Sequence, residues 1–194
     1  MRQVSTKTKL GFTLIEILIA MAIMVVMMTI VWGTFLIINS SHANVVVVND
    51  AKDYAELNMT GIANMLANAD KVKAASYPNI TINATDAGEG YTKSAYFDPT
   101  SSDLMYYDGV TLKTGIHLDQ FTVKDSSTGT SKNKWIIKPS YQINNSTITV
   151  TLQIYDNSDN TLYYTLTRTI FMPNVKDTST GSGDVLKIRT KTFP

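Results

Sequence analysis

One carboxylate stands at the start of a long apolar run, and it is the side chain in this sequence best placed to do chemistry. Glu16 comes shortly after Gly11 and Phe12, and from Ile17 to Ile38 no residue is charged. An ionisable side chain within a lipid bilayer is costly and by default indicates a function. A carboxylate buried among helices in lipid keeps its charge only beside a cation. We therefore expect Glu16 to need a positively charged partner.

The rest of the sequence offers no comparable chemistry. It contains no cysteine, and its two histidines, His42 and His117, are isolated. No glycine-rich phosphate loop, HExxH motif or GxSxG motif occurs. Residues 156–160 are rich in oxygen ligands for calcium, but they lack the glycine and terminal glutamate of an EF-hand loop, so a hairpin turn is the better interpretation. We expect no catalytic residue, no metal site and no cofactor.

The apolar run is long enough to cross a membrane. At 1.5 Å per residue the uncharged stretch makes roughly 33 Å of helix, against roughly 30 Å of hydrocarbon. An ordinary secretory signal has a shorter apolar core, followed by small residues at its cleavage site. Arg2, Lys7 and Lys9 precede the run, and positive charge on that side keeps an N-terminus cytoplasmic. The sequence predicts a single-pass protein whose remainder lies outside the cytoplasm.

The junction before the run has a specific form: a glycine, then a phenylalanine, then a glutamate at the fifth position after the glycine. Lys9 to Glu16 read KLGFTLIE. This junction closely resembles the leader-peptide junction of the type IV pilin and pseudopilin family. The resemblance implies that a prepilin peptidase cuts between Gly11 and Phe12 and that the new amine on Phe12 is N-methylated. It also implies that Glu16 pairs with the Phe12 amine of a neighbouring subunit during assembly.

The resemblance also implies partners and a location. The partners are the prepilin peptidase, other pilin subunits through the N-terminal helix, and the platform protein of the assembly machine. The chain would lie in the cytoplasmic membrane before assembly and in an extracellular pilus or cell-envelope pseudopilus afterwards. The preferred interpretation is a structural subunit, a minor pilin of a type IV pilus, and not an enzyme. The alternatives are a pseudopilin of a type II secretion or competence DNA-uptake machine, and a membrane-anchored extracellular β domain that binds a partner.

The charge of the chain gives no sign of nucleic-acid binding. The formal net charge is +1, and the predicted leader alone carries three basic residues. The remainder is therefore close to neutral, and nothing in it attracts a polyanion.

Beyond the membrane the helix is predicted to continue as an amphipathic stem. Apolar residues recur there at near-helical spacing, at Val45, Val48, Tyr54, Leu57, Ile62, Met65 and Leu66. We expect the helix to end between Asn68 and Lys73, before Pro78. The predicted division of the chain is a cytoplasmic leader at 1–11, the transmembrane and assembly half of the stem helix at 12–38, its amphipathic half at 39–73, an antiparallel β head at 74–172, and a flexible tail with a possible edge strand at 173–194.

The fold class predicted by this order of elements is α+β, a long helix packed against an antiparallel sheet. The predicted strands are 80–82, 95–97, 104–107, 110–113, 116–123, 135–138, 147–155, 161–172 and, weakly, 184–190, with turns at 108–109 and 144–145 and a polar loop at 125–133. The clearest is Thr147 to Tyr155, where apolar residues alternate with threonine and other polar residues. Residues 173–183 have the composition of a flexible linker.

Overall fold

The structure is a computed structural model of the chain. It describes residues 13–99, 103–107, 111–116, 122–124, 131–175 and 180–190, and for 114–116, 122–124 and 131–132 it describes the backbone alone. Gly11, Phe12 and His117 lie outside the described residues, as do the predicted turn at 108–109 and residues 191–194 of the tail.

A long helix opens the described chain, and strands dominate the remainder. The helices are α1 (Leu14–Ala67) and α2 (Ala84–Gly88). The strands are β1 (Ala69–Ala75), β2 (Lys93–Phe97), β3 (Leu104–Tyr107), β4 (Leu112–Ile116), β5 (Thr122–Lys124), β6 (Ser131–Asn133), β7 (Trp135–Asn144), β8 (Thr147–Asp156), β9 (Leu162–Phe171), β10 (Gly181–Gly183) and β11 (Val185–Thr190).

The chain divides into two compact units, one ending at Val46 and the other beginning at Val47. In the first unit, α1 exposes its large apolar side chains around the whole circumference from Leu14 to Ile38. This part of the helix is long and apolar enough to cross a membrane. The predicted apolar N-terminal helix is therefore confirmed.

In the second unit, the last turns of α1 bury one face under the strands. The buried residues of this face are Ala51, Tyr54, Ala55, Asn58, Met59, Ile62 and Leu66. They share a core with Trp135 and Tyr141 of β7 and with the apolar side chains of β8. The sequence pattern picked out Tyr54 correctly, but Leu57 is exposed. The prediction that the apolar face of the sheet covers the C-terminal half of the stem is confirmed.

The strands form two main antiparallel sheets and a small ribbon. Their orders are β1-β11-β2-β3-β4, β10-β7-β8-β9 and β5-β6. Strand β8 behaves as predicted, because Ile148, Val150, Leu152 and Ile154 are fully buried while the residues between them are partly exposed. It pairs with β7 on one side and β9 on the other. A long N-terminal helix with antiparallel sheets confirms the α+β, pilin-like fold class.

Two predicted boundaries near the end of the stem are wrong. The helix ends at Ala67, and Ala69–Ala75 form β1 instead of the last turns of the helix. Pairing with β11 outweighs the local helical pattern here, since it buries Val72 completely. Residues 80–82 are not a strand; Asn83 caps α2 instead, with its side-chain oxygen accepting a hydrogen bond from the backbone N–H of Asp86 at 2.8 Å.

The middle of the head also differs from the prediction. The predicted strand 116–123 is two strands, because Ile116 ends β4 and Val123 lies in β5. The predicted polar loop at 125–133 ends earlier, since β6 begins at Ser131 and pairs with β5. The turn between β7 and β8 uses residues 145 and 146, where Asn145 has a positive φ of 54°. Asparagine tolerates this left-handed conformation, so the turn moves by one residue.

The tail is the largest correction. Of the predicted flexible linker, Gly181–Gly183 form β10 and pair with β7. The predicted edge strand is β11, which lies between β1 and β2 inside the five-stranded sheet. A Cβ atom at Gly183 would lie 2.2 Å from the carbonyl oxygen of Ala75. This glycine is therefore needed for the close approach of two backbones and not for flexibility.

Candidate functional site

The carboxylate of Glu16 is held by the residue that caps α1. Its Oε2 accepts hydrogen bonds from the backbone N–H of Thr13 at 2.8 Å and from the Thr13 hydroxyl at 3.0 Å. The backbone N–H of Glu16 in turn donates to the hydroxyl oxygen of Thr13 at 3.4 Å and to its carbonyl oxygen at 3.1 Å. This is a capping box, in which the N-cap residue and the third helical residue satisfy each other's free groups.

The capping box gives Glu16 a role at the start of its own helix. A carboxylate in the first turn also interacts favourably with the positive end of the helix dipole. Both bonds to Thr13 use Oε2, and the side chain is exposed. The role of Thr13 is not among the predictions from the sequence, although a threonine three residues before a glutamate at the start of an apolar run is a recognised helix-start signal. Gly11 and Phe12 lie outside the described residues, so the structure leaves their predicted roles untested.

The apolar part of α1 satisfies its few polar side chains internally. The hydroxyls of Thr29, Thr34 and Ser40 donate to the carbonyl oxygens of Val26, Ile30 and Ile37, at 2.7, 2.9 and 2.9 Å. A hydroxyl bonded to its own helix exposes no unmet donor to hydrocarbon. These residues therefore do not interrupt the membrane-spanning character of the segment.

Comparison with known families matches this end of the chain. Residues 6–32 match the family model described as the prokaryotic N-terminal methylation motif. The match includes the predicted cleavage junction together with Thr13 and Glu16. The chain carries a prepilin-type methylation motif. This motif on a long apolar helix is consistent with the type IV pilin family and supports a pilin- or pseudopilin-type precursor.

The prepilin-type motif has two further implications. It implies processing by a prepilin peptidase and assembly with other pilins. Together with the apolar helix it supports anchoring in a membrane before assembly. No curated protein and no solved structure matches the chain.

The other sequence candidates lie apart from this motif. His42 is exposed on α1. Residues 157–161 connect β8 to β9. Asp156 Oδ1, at the end of β8, accepts from the backbone N–H of Ser158 at 2.7 Å, and Asp159 Oδ1 accepts from that of Thr161 at 2.9 Å. The bond from Thr161 lowers the pKa of Asp159. These carboxylates serve the turn, and within the described residues no cluster of acidic or histidine side chains could hold a metal ion.

A buried ion pair in the head has no counterpart in the sequence analysis. The ammonium of Lys187 on β11 contacts Oδ2 of Asp86 on α2, and both side chains are almost fully buried. Lys187 also donates to the carbonyl oxygen of Thr81 at 3.2 Å, and Lys73 lies 3.6 Å from Asp86. Burial raises the pKa of Asp86, but its bonds with Lys187 and Asn83 and the two lysine charges outweigh it, so the pKa lies below the ordinary value.

The pair fastens a loop to the sheet. Asp86 belongs to the segment between β1 and β2, whereas Lys187 is near the C-terminal end of the described chain. Removal of one partner from a charged pair this deeply buried strongly lowers the free energy of unfolding, because it leaves the other charge buried and uncompensated. We therefore regard it as a structural bond of the head and not as a site.

Proposed function

We propose that this chain is a structural subunit of a type IV pilus, of the minor class, that is processed and then assembled through its N-terminal helix. The observation that carries the proposal is the prepilin-type motif on an apolar helix whose first turn contains Glu16. In this proposal residues 1–11 are a leader, cut off between Gly11 and Phe12, and residues 12–38 are the membrane and assembly segment. The head is an extracellular interaction domain and not an enzyme.

Physical chemistry supports a change of partner for Glu16 during assembly. Cleavage creates a positive amine on Phe12, next to Thr13 in the chain. A carboxylate in an apolar bundle needs a cation, and the hydroxyl and N–H of Thr13 are neutral donors. In the membrane-stored subunit Glu16 caps its own helix. In the filament it pairs with the Phe12 amine of a neighbouring subunit, which fixes the register of one stem against the next.

The proposal is tested by following Glu16 variants through processing and assembly. Glu16→Gln keeps an acceptor for Thr13 but removes the charge. We expect this variant to lose its leader normally, to remain in the membrane and to be scarce in filaments sheared from the cells. Asp53→Asn is the control, because it removes an exposed carboxylate from the same helix in the second unit.

Three outcomes separate the alternatives. Loss of Glu16→Gln from sheared filaments with normal processing supports the pilus subunit. Wild-type protein that is processed but absent from sheared filaments would indicate a cell-envelope pseudopilin. Wild-type protein that keeps its leader would contradict both and leave a membrane-anchored β domain.

A further inference from the structure

The first half of β7 forms one wall of a cleft in the head. Strand β10 pairs with β7 only at residues 141–143, so the earlier residues of β7 have no described strand on the side away from β8. Pro139 lies in this part of the strand and has no N–H to offer another strand. The cleft beside this edge has a volume of about 480 Å³. Its lining includes Tyr77, Phe97, Pro99, Ile136, Pro139 and Asp184.

The size and lining of the cleft are those of a binding site. Such sites have volumes of roughly 300–1,000 Å³ and are mostly apolar, with a few placed polar groups. Two aromatic rings line this cleft: Phe97 is buried, whereas Tyr77 has 47 % of its surface exposed. The ring of Tyr77 is therefore the aromatic surface of the cleft that another molecule can reach.

Tyr77 and the carboxylate of Asp184 are held next to each other by the fold. Asp184 Oδ1 accepts a hydrogen bond from the backbone N–H of Tyr77 at 2.8 Å. The N–H of Asp184 donates to the carbonyl oxygen of Ala75 at 3.1 Å. The Tyr77 ring also packs against the buried ring of Tyr96, with 6.2 Å between their centroids. The two groups are thus positioned before a ligand arrives, which lowers the entropic cost of binding.

The carboxylate of Asp184 is the charge that the cleft presents to a ligand. It is partly buried and forms no ion pair within the part of the chain that the structure describes. The cation in the described lining, Lys138, is engaged elsewhere: its ammonium donates to Asn160 Oδ1 at 3.2 Å and lies 4.0 Å from the centre of the Tyr155 ring. Burial and then the Asp184 charge raise the pKa of Tyr141. The cleft therefore favours a cation.

We propose that this Tyr77–Asp184 cleft binds an arginine side chain from an extended segment of a partner protein. A guanidinium is flat and always charged, stacks on aromatic rings and pairs with carboxylates. Tyr77 offers the ring, and Asp184 offers Oδ2, which makes no hydrogen bond among the described residues. The inference goes beyond the proposed function and does not rest on it.

The apolar part of the lining favours a protein segment over a free small cation. A cleft of this volume accommodates a drug-sized ligand, which is larger than one arginine side chain. Pro99, Ile136 and Pro139 leave apolar surface for the residues that flank the arginine. Burial of that surface contributes about 25 cal/mol per Å², and a free guanidinium buries little of it.

Two probes of the same shape test the charge. N-acetylarginine amide is titrated into the full chain in uncharged detergent and compared with N-acetylcitrulline amide, in which a neutral urea group replaces the guanidinium. Saturation-transfer NMR from the protein to the probe measures binding. We expect the arginine probe to bind roughly tenfold more tightly, which is about the effect of one charge-assisted hydrogen bond. Equal binding of the two probes, or no binding of the arginine probe, would overturn the inference.

Variants of Asp184 assign the charge to this cleft. Asp184→Asn keeps an oxygen that accepts from the N–H of Tyr77 but removes the charge. We expect it to bind the arginine probe roughly tenfold more weakly and the citrulline probe as before. The matched control is Asp159→Asn, which removes an exposed carboxylate from the connection between β8 and β9 and should bind both probes as the wild type does. An equal loss in the two variants would contradict binding at this cleft.

Variants of Tyr77 test the stacking. Tyr77→Leu removes the ring, and we expect several-fold weaker binding of the arginine probe, whereas Tyr77→Phe keeps the ring and should bind normally. Phe171→Leu is the control, because it removes an exposed ring from β9. Unchanged binding by Tyr77→Leu would rule out stacking on Tyr77 and overturn the proposed site.

A longer probe distinguishes a partner segment from a free small cation. We expect a capped peptide with valine on each side of the arginine to bind several-fold more tightly than N-acetylarginine amide. Equal binding would overturn the partner segment and assign the cleft to a free guanidinium. These measurements use the purified chain and need no assembly. Their failure would leave the proposed function as it stands, since processing and filament incorporation of the Glu16 variant test that function separately.

Discussion

Two of the methionines of helix α1 have opposite surroundings. Met24, in the unit that ends at Val46, has 64 % of its surface exposed, whereas Met59, in the unit that begins at Val47, is fully buried. Around Met24 every large side chain is apolar and exposed. Around Met59 the apolar side chains occupy one face and the acidic residues Asp53 and Glu56 are exposed or partly exposed.

The difference shows what the chain covers by itself. Strands of the same chain bury one face of α1 in the unit that begins at Val47, so this face stabilises the fold without a partner molecule. The first segment has a large apolar surface that is exposed among the described residues, and soluble proteins rarely expose such a surface. The prepilin-type motif implies a membrane around this surface before assembly and other pilins after it. If the proposed function holds, folding and assembly use different parts of one helix.

The largest expected effect comes from breaking the buried ion pair of the head. Lys187→Ala leaves Asp86 buried without its main partner, and we expect the free energy of unfolding to fall by about 3–5 kcal/mol. The control is Lys73→Ala, since Lys73 is two-fifths exposed and lies 3.6 Å from Asp86. Urea unfolding of the full chain in detergent, followed by the fluorescence of buried Trp135, measures both. Equal effects would contradict the account of this pair.

The same pair predicts a dependence on pH. Because the pKa of Asp86 is lowered in the folded state, its stabilising contribution is complete above the ordinary value near 3.8 and is lost as the pH falls towards the folded value. The wild-type protein should lose stability on acidification through this range. Lys187→Ala should lose less over the same range, because the interaction that lowers the pKa is mostly gone.

Alanine substitutions of Met59 and Met24 test this comparison directly. Met59→Ala should lower the free energy of unfolding of the head by about 2–5 kcal/mol, since it leaves a cavity in the core. Met24→Ala should leave head unfolding unchanged, because no core residue depends on it. Urea curves of the two full-length variants in detergent provide the test. A comparable loss from Met24→Ala would show that the apolar segment supports the fold of the head.

A smaller effect is expected at the glycine before β11. Gly183→Ala forces a methyl group against the carbonyl of Ala75, and we expect a loss of about 1–3 kcal/mol. Gly88→Ala is the control, because a Cβ there meets no atom within 4 Å. The same unfolding measurement applies to both. A neutral Gly183→Ala would mean that the tail moves freely, as its composition had predicted.

The smallest effect belongs to the surface bridge from stem to sheet. Arg168 and Glu56 lie 2.9 Å apart, but both side chains are more than one third exposed. Exposed pairs contribute about 0–1 kcal/mol, so Glu56→Gln should change head stability by no more than that. A double-mutant cycle with Arg168→Gln isolates the pair. A coupling free energy as large as the stability loss from Met59→Ala would mean that this ion pair, and not apolar burial, holds the stem against the sheet.

The sequence predicted those elements whose signal is local. The apolar run of α1, the position of Glu16 and the alternation of β8 are all readable from neighbouring residues. Strand β11 was misjudged because four consecutive residues, Val185 to Ile188, are buried, and one of them is a lysine. The burial of Lys187 depends on Asp86, which lies 101 positions away in the chain, and no local pattern reveals this pairing.

The site was predictable in part for the same reason. The spacing of Gly11, Phe12 and Glu16 is a local pattern that lies within the methylation motif over residues 6–32, while the roles of these three residues stay predictions. The bond from Thr13 to Glu16 is equally local and was open to prediction. The order of strands in the sheets depends on pairing between residues far apart in the chain, and that order could not be read from the sequence.

The most direct test of the account is the intact mass and N-terminal sequence of the protein from membranes of its host, with and without the prepilin peptidase. The account predicts a chain that begins at Phe12 and carries one added methyl group, and only when the peptidase is present. A chain that keeps residues 1–11, or that is cut after Ile38, would contradict it.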